Sequence, residues 1–185
     1  MEVIPGNAVR WSHFIAEGLL NKNSLAVDLT AGNGHDTLFL AERAGQVISI
    51  DVQEVAIEST KKRLEEHRAN NVELICDSHE RIANYVEIRK VDVFLMNLGY
   101  LPKGDKKKTT EWETTKKTIE VIIKSMKKHG LLSICVYPGH EEGAIESDGL
   151  VEFCKELNQR EYRVAELKFP NQQKEPPYWI GIERF

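Results

Sequence analysis

Residues 24–37, SLAVDLTAGNGHDT, constrain the fold of this chain more than any other stretch. Three apolar residues, Leu25, Ala26 and Val27, end in an acid, Asp28. A small-residue turn follows (Thr30, Ala31, Gly32, Asn33, Gly34), and residues 35–37 read as a helix start. A buried strand feeding a glycine turn and then a helix gathers backbone N–H groups and a helix N-terminus at one point. Glycine lets the main chain approach a ligand where a Cβ would collide. Seventeen residues beyond Gly34, a second apolar run, 46–50, ends in Asp51. In a βαβ unit such an acid lies at the tip of the neighbouring strand, within reach of ribose hydroxyls. The pattern predicts a nucleoside-type ligand.

A dinucleotide fingerprint places Gly or Ala three positions after its second glycine, and here that position is Thr37. What stands out instead is Asp28 at the end of the first strand, suited to an ammonium group on an amino-acid-bearing ligand. D-x-x-A-G-x-G followed by a strand-end acid resembles the first two motifs of class I S-adenosylmethionine methyltransferases. The alternative is a glycine turn that only connects strand to helix.

A chain of 185 residues has room for one large core and predicts a single domain, 1–185. Hydrophobic residues make up 41% and charged residues 29%, so neither disorder nor a membrane class is indicated. No run of about eighteen apolar residues occurs, which argues against a membrane span, and residues 1–11 do not read as a secretory signal. Cys76, Cys135 and Cys154 are odd in number and far apart, so reduced thiols and a cytoplasmic location are expected. His35, His79 and His140 lack a paired ligand at metal spacing, and no metal is expected. No Gly-x-Ser-x-Gly elbow supports a serine nucleophile.

A net charge of −4 argues against indiscriminate nucleic-acid binding. Locally, residues 103–128 hold nine lysines against four acids. Such a patch can steer a polyanion or be a solvated helix face with its loop, and charge alone leaves both open.

Along the chain, residues 1–20 predict a short amphipathic helix capped by Asn7 and covering the cofactor side. Strands are predicted at 25–29, 46–50, 72–76, 91–96, 131–137, 162–169 and 179–183. Helices are predicted at 35–44, 55–67, 110–128 and 145–158, with a short one at 81–86 and Gly130 as the stop of the 110–128 helix. Alternation of strand and helix means a parallel sheet covered on both faces. The last two strands have no helix between them, which predicts an antiparallel strand at the edge. The fold class is α/β, a single Rossmann-like domain.

Ligands of such sheets sit beyond the carboxyl ends of the strands, so the candidate residues are those just after each apolar run. Asp28, Thr30, Gly32, Asn33, Gly34, Asp51 and Gln53 are candidate cofactor contacts. Asp77 and Ser78 fall where a methyltransferase acid often meets the adenine amino group, although an aspartate after a strand is also a common turn former. Asn97-Leu98-Gly99-Tyr100-Leu101-Pro102 resembles the Asn-Pro-Pro-Tyr motif of methyltransferases acting on exocyclic amino nitrogens, with Leu98-Gly99 in place of the two prolines. In that motif Asn accepts hydrogen bonds from the amine and the aromatic ring stacks on the base, a positioning task. Asn97 also borders the cofactor. An aliphatic amine is cationic at neutral pH and must lose a proton before it attacks, which Asp105 or His140 could accept. Tyr137 lies on the expected substrate side.

Together, DLTAGNGHDT, LMNLGYLPKGD and VYPGHEEG resemble the small bacterial rRNA methylase family of class I methyltransferases over essentially the whole chain. The resemblance implies a seven-stranded sheet in the order 3-2-1-4-5-7-6 and S-adenosylmethionine as cofactor. It further implies an acceptor in the tRNA anticodon loop, the aminomethyl nitrogen of wobble 5-aminomethyl-2-thiouridine. On this reading Asn97, Tyr100, Asp105 and His140 serve the reaction, while Tyr100, Lys103, Lys106, Lys107, Lys108 and Tyr137 meet the RNA. Ribosomal RNA, a small-molecule amine and a cofactor-binding regulator without catalysis are the alternatives. Oligomeric state stays open, a homodimer included.

Overall fold

Apolar runs alternating with amphipathic segments can be buried together only in a sheet covered on both faces. The computed structural model of the chain describes residues 3–99 and 110–185. Its strands are β1 (Leu25–Asp28), β2 (Gln46–Asp51), β3 (Val72–Cys76), β4 (Val93–Asn97), β5 (Leu131–Val136), β6 (Tyr162–Leu167) and β7 (Tyr178–Arg184). They form one seven-stranded sheet in the order 3-2-1-4-5-7-6, as the resemblance implies. β1 to β5 pair in parallel, and β7 runs antiparallel to both β5 and β6. The reversed strand therefore lies one place in from the edge rather than at it. Burial explains the swap: residues 178–182 are all buried and need a neighbour on each side, whereas β6 is half-exposed along its length.

Side chains alternate across the sheet. On one face Val27, Ile48 and Phe94 join Ile119 and Ile122 of α4 (Trp112–Ser125), with Leu150 of α5 (Glu141–Glu156). On the other, Ala26, Val47, Val93 and Leu95 meet α2 (His35–Arg43) through Phe39 and Leu40 and α3 (Glu54–Glu66) through Leu64. Two 3-10 segments, His79–Asn84 and Ile88–Lys90, replace the predicted helix at 81–86.

α1 (Ala8–Glu17) starts where Asn7 caps it, the Asn7 carboxamide accepting from the Arg10 N–H at 2.9 Å. It packs across β5 and β7, burying Ala8 against Cys135 and Trp179. A buried polar chain fixes its place: Trp179 Nε1 donates to Ser133 Oγ at 2.7 Å, and Ser133 Oγ lies 2.8 Å from Ser12 Oγ.

Two helix bounds differ from the sequence reading. α4 ends at Ser125, because Met126 leaves helical geometry (ψ 145°) to enter the core, and the left-handed residue before β5 is His129 (φ 61°), not Gly130. α5 begins four residues earlier than its apolar period, since His140 caps it and Glu141 and Glu142 suit a helix N-terminus. Among the described residues no helix is long and apolar enough to cross a membrane, and no cluster of three ligating side chains could hold a metal ion.

Replacing Ser133 with Ala strands the Trp179 indole N–H in the core. Denaturant unfolding should show a loss of about 1–3 kcal/mol, the usual cost of a buried unpaired donor. An unchanged midpoint would show that the chain from Trp179 to Ser12 does not hold α1 in place.

Candidate active site

The strand order 3-2-1-4-5 sets Asp77, Asp51, the glycine turn with Asp28, Asn97 and Tyr137 side by side along one edge of the sheet. Gly32 (φ 54°) and Gly34 (φ 75°) take left-handed backbone that other residues rarely adopt. A Cβ on Gly34 would come within 2.9 Å of Thr60 Cα, so the turn and α3 fit only because that atom is missing. Charge holds the turn to β2: Asp51 accepts the Gly32 N–H at 3.0 Å with one carboxylate oxygen and the Gln53 N–H at 2.9 Å with the other. From α3, Arg63 Nε donates to the Asn33 carbonyl at 2.6 Å and Ser59 to the Asn33 carboxamide oxygen at 3.3 Å. Val52 and Val55 flank Asp51 at 67% and 57% exposed, an apolar surface suited to a flat ring.

Asp28 lies buried beneath the turn rather than open at the strand ends. Its carboxylate is fully buried and accepts the Thr30 N–H at 3.1 Å and the Thr37 hydroxyl at 2.6 Å. Thr37 spends its only hydroxyl proton there, so Ser49 Oγ, 2.8 Å away, donates to Thr37. Burial, with the nearby Asp36 charge next, pushes the Asp28 carboxyl up to about 7. Asp77 points to its own 3-10 segment. It accepts from Tyr85 Oη at 2.7 Å, the Ser78 N–H at 2.7 Å and Arg81 at 3.3 Å, and these bonds, Tyr85 first, hold it below the usual carboxylate range. Behind it, burial pushes His79 down to about 4. The neutral ring donates from Nδ1 to Thr118 Oγ1 at 2.7 Å, because Thr118 gives its own proton to the Thr114 carbonyl.

At the end of β4 the Asn97 N–H donates to Thr30 Oγ1 at 2.8 Å, joining this corner to the glycine turn. Asn97 Nδ2 donates to Asp36 Oδ2 at 2.6 Å. The carboxamide cannot be turned over, since that would set two acceptor oxygens against each other. Oδ1 is therefore the other end of the group, and it is buried without a hydrogen-bond partner among the described residues. Asp36 Oδ1 in turn accepts from His13 Nε2 at 2.8 Å, and the His13 ring stacks on Phe39 with centroids 3.8 Å apart.

Gly99 and Thr110 close the base of segment 100–109. The Gly99 N–H donates to Thr110 Oγ1 at 2.8 Å and the Thr110 N–H to the Gly99 carbonyl at 3.2 Å. Both Thr110 and Thr115 donate their hydroxyls to the buried Glu146, at 2.5 and 2.7 Å. Burial raises the Glu146 carboxyl. Tyr100, Lys103, Asp105, Lys106, Lys107 and Lys108 lie outside the described residues.

His140 and Tyr137 border Gly99: a Cβ there would meet Tyr137 Cβ at 3.8 Å and His140 Nε2 at 3.9 Å. His140 Nδ1 accepts the Gly143 N–H at 3.0 Å, so the neutral ring carries its proton on Nε2. That geometry makes His140 the cap of α5, with its Nδ1 lone pair engaged by the Gly143 N–H. Burial raises the Tyr137 phenol well above its ordinary range, so it stays protonated.

The sequence reading passed over His13, Asp36 and Glu146. Asp36 had a visible signal, an acid in the first turn of the helix after the glycines. His13 and Glu146 had none, because their partners come from distant elements.

The Asp28 carboxyl has a testable consequence. Its folded pKa lies above the unfolded value, so the folded chain binds that proton more tightly and loses stability as pH rises towards and through about 7. His79 acts oppositely between about 4 and its unfolded value near 6.5. The melting advantage of Asp28→Asn over the unaltered chain should therefore grow as pH rises from about 5 to 8. An advantage that does not change with pH contradicts a buried, raised Asp28.

Residues 47–183 match the family model described as "Putative rRNA methylase". A tRNA (mnm(5)s(2)U34)-methyltransferase, chloroplastic, of Arabidopsis thaliana is 31% identical over 159 residues, 79% of this chain; the chain spans 58% of that protein's length. The Streptococcus mutans protein SMU.1697c, solved in complex with SAH, superposes over the whole of both chains with a TM-score of 0.90 at 37% identity. A Clostridium thermocellum structure bearing the same family name superposes over 99% of this chain and 100% of its own, with a TM-score of 0.94 at 32% identity. By that match over residues 47–183, and with its own seven strands in the order 3-2-1-4-5-7-6, this chain belongs to that rRNA methylase family of small class I S-adenosylmethionine-dependent methyltransferases.

Proposed function

We propose that the chain transfers a methyl group from S-adenosylmethionine to an amine nitrogen of tRNA, the aminomethyl group of wobble 5-aminomethyl-2-thiouridine. The observation that carries this reading is Asn97 Oδ1, a buried acceptor with no partner among the described residues, beside the glycine turn. Leaving a buried acceptor unpaired costs about 1–3 kcal/mol, a cost that an incoming N–H removes. The printed name of the Arabidopsis relative supports the tRNA substrate, and the SAH complex of SMU.1697c supports the cofactor.

The residues present fit that cofactor. Left-handed Gly32 and Gly34 open the main chain, Asp51 stands at the β2 tip for the ribose with Gln53 beside it, and Val52 and Val55 offer an apolar face for the adenine. Asp77 and Ser78 close the adenine side. Asp28, Thr30 and Asn33 act by holding the turn in shape. When bound, S-adenosylmethionine supplies an electrophilic methyl group on a sulfonium centre.

The chain's own work is to aim the amine. Asn97 Oδ1 accepts one amine N–H, which directs the nitrogen lone pair and holds it in place. The amine arrives as an ammonium ion and must give up a proton. Asp105 is the assigned acceptor, since the His140 Nδ1 lone pair is engaged by Gly143. Tyr100 and Tyr137 face the base, while Lys103, Lys106, Lys107 and Lys108 contact phosphates, which orient RNA without reading its sequence.

Nucleoside mass spectrometry of tRNA from cells with and without the gene tests the reaction. Loss of the gene should leave the aminomethyl nucleoside unmethylated. An unchanged tRNA profile with altered ribosomal RNA would favour the substrate in the family's name. Reversing the charges of Lys106, Lys107 and Lys108 should weaken tRNA methylation at least tenfold, about 1.4 kcal/mol, while SAH affinity by calorimetry stays the same. Unimpaired turnover would point to a small amine as substrate.

A further inference from the structure

A buried side-chain amide does not hold its direction without help. Asn97 Oδ1 is aimed only because Nδ2 at the other end is bonded to Asp36 Oδ2 at 2.6 Å. Asp36 is itself held at both ends. Its second oxygen accepts from His13 Nε2 at 2.8 Å, and its backbone lies in the first turn of α2, just after Gly34. His13 comes from α1, which is far from the turn in sequence and is pinned to β5 by Ser12. Its ring lies flat on Phe39, at an interplanar angle of 3°, so its rotation is restricted.

We propose that His13 and Asp36 are positioning residues that set the direction of the Asn97 carboxamide, which makes α1 part of the reaction site. Three features support this. The chain from His13 through Asp36 to Asn97 ends on Oδ1, a buried acceptor with no partner among the described residues. The donor and acceptor pattern is forced, because a carboxylate can only accept, so both neighbours must turn an N–H towards Asp36. Asp36 is almost fully buried, at 7% exposed, where a hydrogen bond to a charged group is strong. The Asp36 charge, bonded to the far end of the same carboxamide, also favours the approach of a cationic amine. The inference rests on the proposed reaction for its rate consequence only, since the carboxamide geometry can be read without it.

The test combines a spectrum with kinetics. In protein labelled with ¹⁵N-asparagine, the Asn97 side-chain pair, identified by its absence from Asn97→Ala, should show one N–H shifted downfield by the carboxylate. Asp36→Ala should return that proton to the ordinary range, His13→Ala should move it part of the way, and His13→Gln, which keeps an N–H donor, should hold it near its original position. On aminomethyl-bearing tRNA, His13→Ala should lower kcat on the order of tenfold to a hundredfold, as small misplacements of a reacting group do. The KM for tRNA and the affinity for SAH should stay within about twofold, less than the 1.4 kcal/mol of a tenfold change, and His13→Gln should recover most of the rate. A proton signal indifferent to Asp36→Ala overturns the proposal, and so does a His13→Ala defect confined to SAH affinity or melting temperature. If the unaltered protein does not methylate that tRNA while the amide signal responds as stated, the substrate reading fails and the positioning pair stands.

Discussion

The site depends on how backbone amides and a carboxylate meet at the tip of β2. The Gly32 and Gln53 N–H groups both close on Asp51, and this ties the turn after β1 to the start of α3. A bond between a charged acceptor and an amide is stronger than a neutral one. This one acts at a turn with two left-handed glycines, which Arg63 and Ser59 also hold from α3. Thr30 then passes the constraint to β4 by accepting the Asn97 N–H. Three strand ends are thereby held in one arrangement before any ligand arrives. Pre-organisation of this kind reduces the cost of ordering groups on binding.

Acids at this edge do different work according to their surroundings. Asp51 is partly exposed and holds the turn, while Asp28 is buried behind it and pushed up to about 7. Asp77 is stabilised as an anion by Tyr85 and its neighbours. Asp36, in the first turn of α2, sits between an imidazole and a carboxamide, and its charge adds to the burial that raises Asp28. The spacing of the acids in the chain could not separate these roles, because each role depends on which donors the fold brings within about 3 Å.

Much of the fold was legible because strand burial leaves a direct mark. Continuous apolar runs at β4 and β5 announce strands covered on both faces, and the glycine turn with Asp51 marks where β1 and β2 end side by side. Legibility ended where polar residues decide the outcome. α5 starts on His140 and two glutamates, which apolar periodicity does not register. The order of the last two strands follows from the burial of β7, and β6 and β7 read alike as isolated runs. The bonds of His13 and Glu146 span 23 and 31 to 36 residues, a separation over which no local pattern survives. Asn97 was visible through its motif, whereas the direction of its carboxamide came only from Asp36.

The most direct measurement of the central claim is a crystal structure of this chain with S-adenosylhomocysteine bound. The ligand should lie against Gly32 and Gly34, with its ribose at Asp51 and its sulfur facing Asn97 Oδ1, leaving room between them for a methyl group and an amine nitrogen. A ligand seated elsewhere, or a sulfur turned away from Asn97, would contradict it.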